Sequence, residues 1–226
     1  MHAAAILPGG CPDQLLFRTN MMPMLFNVLG PAGCWHQALR VDLEQSVLGY
    51  PFNYRPIVPR YLPLDEQHPH DPQDPYALSK SLGEQLVAAT PHARGLAVIS
   101  LRIVWAHTGH LQRDLPFWQN PAAGAANLWS YVDTRDCGRA ARLALVGPAE
   151  GHHACFVSAA DNMHAHPHRE LVAAYMPGAP AGQRATGLWC AVRHSRRARA
   201  ARLRAALRLG KLRFWHAPSW SRSSCY

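Results

Sequence analysis

Tyr76 and Lys80 are the residues of this chain whose types and spacing most directly suggest chemistry. On a helix, side chains four residues apart lie one above the other on the same face. A lysine ammonium held there would lower the pKa of the phenol, so the tyrosine could exchange a proton with a substrate hydroxyl. The pair therefore indicates redox acid–base chemistry. The spacing alone is not specific, because any helix can carry such a pair.

The segments around this pair add specificity because they occur in a recognisable order. They read Ser46-Val-Leu-Gly49-Tyr50, Leu62-Pro-Leu-Asp-Glu66 and Asp74-Pro-Tyr-Ala-Leu-Ser-Lys80. In this order they resemble the extended short-chain dehydrogenase/reductase family, the NAD-dependent epimerases and dehydratases that act largely on nucleotide sugars. In that family a strand runs to a Tyr-Gly or similar pair, a proline-containing loop follows, and P-Y-x-x-S-K opens a helix.

Four further segments fit the same resemblance. His2–Ala5 is similar to the end of the family's fourth strand, and Asn20–Leu29 is similar to the helix after it. Ala97–Trp105 is similar to a buried strand of the family, and Trp129–Leu145 is similar to a helix start. Asp136 in the fourth segment lies near the helix entry, where a carboxylate suits the helix dipole.

Strands that alternate with helices predict the α/β fold class. We expect a partial Rossmann-like, doubly wound parallel sheet with a small substrate-side region and a basic C-terminal tail. The domain would span residues 1–178 and the tail residues 179–226. The predicted helices are 13–30, 75–90, 134–146 and a short one near 167–175, and the predicted strands are 39–47, 96–104 and 153–158. The long proline-rich loop 50–74 is predicted to form a wall of a substrate cleft.

The resemblance also implies roles for individual residues. Tyr76 would be the acid–base in a hydride transfer, and Lys80 would lower its pKa and hold the nicotinamide ribose. Ser46 would be the third catalytic member, although a serine in a turn is the alternative interpretation. Substrate contacts are expected from Arg102, Trp105 and Asp136. The implied cofactor is NAD or NADP, the implied small-molecule partner resembles a nucleotide sugar, and a homodimer is compatible with the family.

The glycine-rich turn with which this family binds the dinucleotide pyrophosphate is not found in the sequence. No complete G-x-x-G-x-x-G occurs, and Gly9-Gly10 is followed by Cys11-Pro12, where a phosphate-binding turn would need free backbone N–H groups. We therefore expect the N-terminal dinucleotide-binding half to be absent and NAD(P) to bind weakly. The alternative function is a non-catalytic remnant or binding protein that keeps the substrate-side half.

The basic charge of the chain is concentrated in its C-terminal part. Lys and Arg number 23 and Asp and Glu 14, for a formal net charge of +9. The last acidic residue is Glu170, and the Arg-rich segment that follows has no broad apolar face. A nucleic-acid interaction through this tail is a possible function, but a solvated basic helix is the interpretation we favour.

The cysteines and histidines do not predict a disulfide framework or a metal site. Six cysteines show no C-x-x-C spacing, which is typical of a reduced cytoplasmic protein. No targeting segment or membrane span is predicted, so we expect no membrane partner. His164, His166 and His168 alternate, but Pro167 and a loop setting argue against a rigid zinc site. His68 and His70 are predicted to be exposed loop residues, and Trp105, Trp118 and Trp129 could line a pocket or pack in the core.

Overall fold

A computed structural model describes residues 5–29, 38–51, 54–56, 58–94, 97–108, 120–146, 151–159, 162, 164 and 166–180. The helices are α1 (Asp13–Leu29), α2 (Pro75–Arg94), α3 (Pro121–Gly124), α4 (Thr134–Val146) and α5 (His168–Tyr175). The strands are β1 (Ala38–Glu44), β2 (Ala97–Ile103), β3 (Ala106–His107), β4 (Val132–Asp133) and β5 (His152–Val157). Two 3-10 turns, Gln45–Leu48 and Ala125–Asn127, complete the elements.

The main sheet is parallel and has the order β1-β2-β5. Its register pairs Ala38 with Ala97 at one side of β2 and Val98 with His152 at the other. Strands β3 and β4 form a second, two-stranded parallel pair that begins at Ala106 and Val132. Parallel strands with helical connections are the arrangement that the sequence predicted, and that prediction is confirmed.

Helices cover both faces of the main sheet. On one face Val98 packs against Met24 and Val28 of α1 and Val87 of α2. On the other face the core contains Ile99 and Leu101 of β2 together with Leu143 and Ala144 of α4. Because successive strand side chains point to opposite faces, the alternation along β2 assigns one helix layer to each side. The sheet is thus doubly wound.

The predicted element boundaries agree closely with the structure. Helix α4 has the predicted limits, and α2 runs four residues longer than expected. The predicted strand 39–47 ends at Glu44 because Gln45–Leu48 coil into a buried 3-10 turn. Between the predicted strand 96–104 and the predicted helix 134–146, where no element was predicted, short elements form at β3, α3 and the turn Ala125–Asn127.

Some predictions fall outside the described residues. They concern residues 2–4 of the proposed fourth strand, Trp118, and the basic tail from residue 181 onward. The packed part extends past residue 178, since the Leu62 backbone N–H donates to the Pro180 carbonyl at 3.0 Å and Ala179 packs against the main core. None of the helices in the described ranges is long and apolar enough to cross a membrane.

His168 is a buried residue of the helix that was predicted near 167–175, so the loop setting assumed for the three alternating histidines was wrong for His168. It opens α5, is 2% exposed, and packs edge-on against the fully buried Trp129 ring at 5.6 Å between centroids. Burial lowers the pKa of His168 to about 4, and a backbone hydrogen bond involving Leu128 opposes this shift. The imidazole is therefore neutral in the folded protein at pH 7.

We expect His168 to make folding sensitive to acid. The pKa of His168 in the folded protein lies below its unfolded value near 6.5. The neutral ring therefore contributes fully to the free energy of unfolding above pH 6.5, and this contribution is lost as the pH falls toward 4. The loss amounts to about 3 kcal/mol. Urea unfolding from pH 7.5 to 4.5 should show a smaller acid loss in His168→Phe than in the wild type. His166→Gln, which removes an exposed histidine, should keep the wild-type slope, and equal slopes in all three proteins would contradict this assignment.

Candidate active site

The carboxyl end of β1 passes directly into the buried turn that carries Ser46. The Ser46 side chain is fully buried, and its Oγ has no hydrogen-bond partner among the described residues. Leaving a buried hydroxyl unpaired costs about 1–3 kcal/mol. Such a group calls for a functional explanation, and a hydrogen bond to a ligand would suit its position at a strand end.

Gly49 closes this turn in a conformation that only glycine adopts easily. Its φ is +89°, and a Cβ on it would lie 2.6 Å from the Asp71 carbonyl oxygen. The Gly49 N–H donates to the Ser46 carbonyl at 2.8 Å, and the Asp71 N–H donates to the Val47 carbonyl at 3.1 Å. Ser46 and the end of the long loop are therefore fixed relative to each other.

Asp74 fixes the start of helix α2. Its Oδ1 accepts hydrogen bonds from the backbone N–H groups of Tyr76 at 2.8 Å and Ala77 at 3.1 Å, and Pro75 occupies the first helical position. This is the expected chemistry of a helix N-cap followed by proline. Burial raises the pKa of Asp74, and the two N–H groups oppose that shift. Tyr76 is placed in the first turn as a consequence.

Tyr76 and Lys80 lie together on the buried side of α2. Tyr76 is fully buried and Lys80 is 7% exposed, and the Lys80 Nζ lies 5.3 Å from the centroid of the Tyr76 ring. A cation at this distance interacts favourably with the ring face and places a positive charge beside the phenol. Helix α2 also packs against the turn that carries Ser46. The three predicted catalytic residues thus belong to two elements in direct contact.

Arg102 is held in a buried polar network. Its Nη2 and Nε donate to the two carboxylate oxygens of Glu84, at 2.7 and 3.0 Å. Its Nη1 donates to the Glu66 carbonyl at 3.1 Å, and its Nη2 also donates to His70 Nε2 at 2.8 Å. Arg102 and Glu84 are 3% and 4% exposed, which makes this a buried bidentate ion pair. These contacts link β2, α2 and the long loop.

His70 takes one defined tautomer in this network. Arginine can only donate, so His70 Nε2 is the acceptor and Nδ1–H faces Ser81 Oγ at 2.8 Å. Burial and the nearby Arg102 lower the pKa of His70, which agrees with a neutral ring. His70 is half-buried and His68 is 4% exposed, so the prediction of two exposed loop histidines was wrong.

The other predicted substrate residues lie on different elements. Trp105, between β2 and β3, is 37% exposed and packs against His107 with ring centroids 4.6 Å apart. Asp136, in the first turn of α4, is exposed and pairs with Arg139 at 2.7 Å. Trp129 belongs to the core. Across the described ranges, no group of three or more His, Cys, Asp or Glu side chains could hold a metal ion.

Glu84 and Asp74 have structural roles that were not predicted from the sequence, and His70 was predicted only as an exposed loop residue. Glu84 follows Lys80 by four positions, as Lys80 follows Tyr76, so the three share one helix face. A charged Arg102 inside an apolar strand also requires a buried partner. These two signals together could have predicted the ion pair.

Comparison with known proteins supports the fold. No family model matches the chain. A curated protein of Methanocaldococcus jannaschii named "Putative UDP-glucose 4-epimerase" is 33% identical over 76 residues, which are 34% of this chain and 25% of that protein. The chain therefore matches about a quarter of the length of this relative.

Solved structures match most of this chain at low sequence identity. A short-chain dehydrogenase/reductase superfamily protein from Agrobacterium tumefaciens with bound NAD has a TM-score of 0.60 at 20% identity, over 91% of this chain and 72% of its own. RMD from Pseudomonas aeruginosa complexed with NADPH has 0.58 at 16%, over 91% and 73%. UDP-glucose 4-epimerase from Brucella ovis in complex with NAD has 0.55 at 17%, over 88% and 70%. The chain thus has the Rossmann-like α/β fold of these proteins, and it resembles the extended short-chain dehydrogenase/reductase family.

Removing one partner of the buried ion pair should be costly. Glu84→Gln leaves the Arg102 guanidinium buried without a compensating charge, and we expect a loss of about 3–5 kcal/mol in the free energy of unfolding. Asp136→Asn is the matched control, because its ion pair with Arg139 is more than half exposed and should contribute less than about 1 kcal/mol. Urea denaturation compares the two. Equal costs would show that the buried pair does not anchor the fold.

Proposed function

We propose that this chain belongs to the NAD(P)-dependent epimerases and dehydratases and takes part in hydride transfer on a nucleotide sugar. Tyr76 would exchange a proton with the sugar hydroxyl, and Lys80 would favour the ionised phenol and hold the nicotinamide ribose. Ser46 would hydrogen-bond the same substrate oxygen as Tyr76. A bound nicotinamide would supply the hydride acceptor.

The observation that carries this proposal is the joint placement of the three side chains. Tyr76 and Lys80 share a helix face with the ammonium 5.3 Å from the ring centroid, and that helix packs on the turn holding the Ser46 hydroxyl, which has no partner in the part of the chain that the structure describes. An acid–base tyrosine, a cation beside it and an unpaired hydroxyl are the groups that this chemistry requires. The similar structures contain NAD or NADPH, and one of them is a UDP-glucose 4-epimerase, which favours the same chemistry.

A non-catalytic binding protein is the second candidate, and the burial of Tyr76 favours it. The tyrosine is 0% exposed, so a substrate could reach its hydroxyl only after a covering segment moved. The 226 residues also contain no complete glycine-rich phosphate turn, so we propose that the chain by itself binds NAD(P) weakly. In this candidate function, the chain would bind a nucleotide sugar without transforming it.

Replacing Tyr76 separates the two candidates. If the chain is catalytic, Tyr76→Phe keeps the ring, removes the transferable proton and lowers turnover of UDP-sugars at saturating NAD by at least ~10²-fold. NAD(H) titration of the wild type by calorimetry should give a dissociation constant weaker than the low-micromolar range. UDP-sugar binding without turnover, unaffected by Tyr76→Phe, would support the binding protein.

The control for this experiment is the double variant His164→Ala/His166→Ala. Their rings stack on each other with centroids 5.1 Å apart, outside the network around Tyr76. We therefore expect this variant to keep wild-type turnover. His168 is left unchanged because it packs in the core. Loss of turnover in the histidine variant with full turnover in Tyr76→Phe would defeat the proposed chemistry.

We further propose that the chain forms a homodimer through helices α1 and α2. These helices pack side by side, and each carries exposed apolar side chains at helical spacing. The residues are Leu15, Met22 and Phe26 on α1 and Leu78 and Leu82 on α2. Spacings of four and seven residues put the members of each set on one face. A second copy of the same surface would cover them in an isologous contact.

Sedimentation measurements test this dimer. The double variant Phe26→Glu/Leu78→Gln should shift the protein toward monomer because it places polar groups in an apolar contact. Leu145→Gln on α4 is the control, since Leu145 is exposed elsewhere on the fold and should leave the association unchanged. A wild type that sediments as a monomer at all concentrations would refute the proposal.

A further inference from the structure

A small cleft lies within the long loop between Gly49 and Asp74. Its volume is about 190 Å³, and its lining includes Leu48, Tyr50, Arg55, Arg60, His68 and Asp71. Neither Ser46, Tyr76 nor Lys80 lines it. The volume is smaller than the roughly 300–1,000 Å³ of a drug-sized ligand site, so the cleft suits one small functional group.

The side chains that line the cleft carry a net positive charge. Arg55 and Asp71 pair with each other at 2.6 Å, which offsets one positive charge with one negative charge. Arg60 remains, and its guanidinium has no hydrogen-bond or ion-pair partner within the described ranges. An arginine that lines a cleft and has no carboxylate partner among the described residues favours an anionic ligand, because its planar donors match the oxygens of carboxylate and phosphate groups.

A hydrogen bond to the His68 side chain fixes the backbone at Arg60. The Arg60 N–H donates to His68 Nε2 at 3.1 Å, so His68 Nδ1–H donates to the Pro69 carbonyl at 3.0 Å. Both ring nitrogens of this buried histidine are thereby engaged in holding the loop. Because the backbone is already ordered, binding would cost mainly the side-chain freedom of the arginine.

Tyr50 supplies a second, independent feature. Its side chain is 0% exposed, and its hydroxyl has no hydrogen-bond partner in the described part of the chain. Burial, with a smaller contribution from Asp71, raises the pKa of Tyr50, so the hydroxyl stays protonated near neutral pH and is an uncharged group that can donate to a ligand. A buried hydroxyl with no partner among the described residues, on a side chain that lines the same cleft as Arg60, is costly unless a ligand satisfies it.

We propose that this cleft binds an oxyanion, the phosphate or carboxylate group of a small molecule, with Arg60 as its charge partner and the Tyr50 hydroxyl as a neutral donor. The proposal goes beyond the proposed function and does not depend on it, because the catalytic residues lie outside the cleft lining.

Thermal unfolding and calorimetry of the full chain test the site with inorganic phosphate, pyrophosphate and citrate as probes, against chloride at equal ionic strength. We expect one of the three to bind saturably below about 10 mM. Arg60→Gln should weaken that binding at least about tenfold, Arg60→Lys should weaken it less, and Tyr50→Phe should also weaken it. Citrate binding without phosphate binding would identify a carboxylate ligand, and the reverse would identify a phosphoryl group.

Arg169→Gln is the matched control, because Arg169 is an exposed arginine on α5 and does not line the cleft. It should bind the probe as the wild type does. An equal loss in Arg169→Gln and Arg60→Gln would show unspecific charge attraction and overturn the proposal. Absence of saturable binding of all three probes to the wild type would overturn it too. Because Tyr76→Phe should leave probe binding unchanged, failure of the catalytic proposal can be told apart from failure of this one.

Discussion

The buried ion pair between Arg102 and Glu84 is the constraint on which the arrangement of this domain depends. A guanidinium in the interior is tolerated only when its donors are satisfied, and the Arg102 donors bind Glu84, the Glu66 carbonyl and His70. Through these bonds one strand residue ties the long loop and helix α2 to the sheet. If β2, α2 or the long loop shifted relative to the other two, a charge or a polar group would be left unpaired in the core.

The position of the candidate active site follows from this constraint. Glu84 lies two helical turns after Tyr76 on the same face, so anchoring the glutamate to β2 also sets the rotation of the helix at the tyrosine. The Asp74 cap fixes where the helix begins, and Gly49 lets the loop approach the turn that carries Ser46. The proposed acid–base pair is therefore oriented by residues with structural roles, as expected for a preorganised site.

The long loop is more structured than its composition predicted. Its prolines and polar residues indicated a surface wall, yet His68 is buried and His70 bridges Arg102 and Ser81. Both histidines have a pKa lowered chiefly by burial, so they act as neutral hydrogen-bonding groups. In the described part of the chain, the Arg60 guanidinium and the Tyr50 hydroxyl of the same loop have no hydrogen-bond partner, so the loop combines anchoring histidines with candidate binding groups.

The sequence by itself determined the elements of the fold, because apolar periodicity and turn residues act locally. The helix 134–146, the strand at Ala97–Ile103 and the helix that begins at Pro75 were all predictable from such patterns. The spacing of Tyr76 and Lys80 likewise fixed their common face. Only the tertiary structure decided which polar side chains meet. It paired Arg102 with Glu84, buried His168 against Trp129 and left the Ser46 hydroxyl without a partner among the described residues, because these outcomes depend on contacts between segments far apart in the chain and on the cost of desolvating each group.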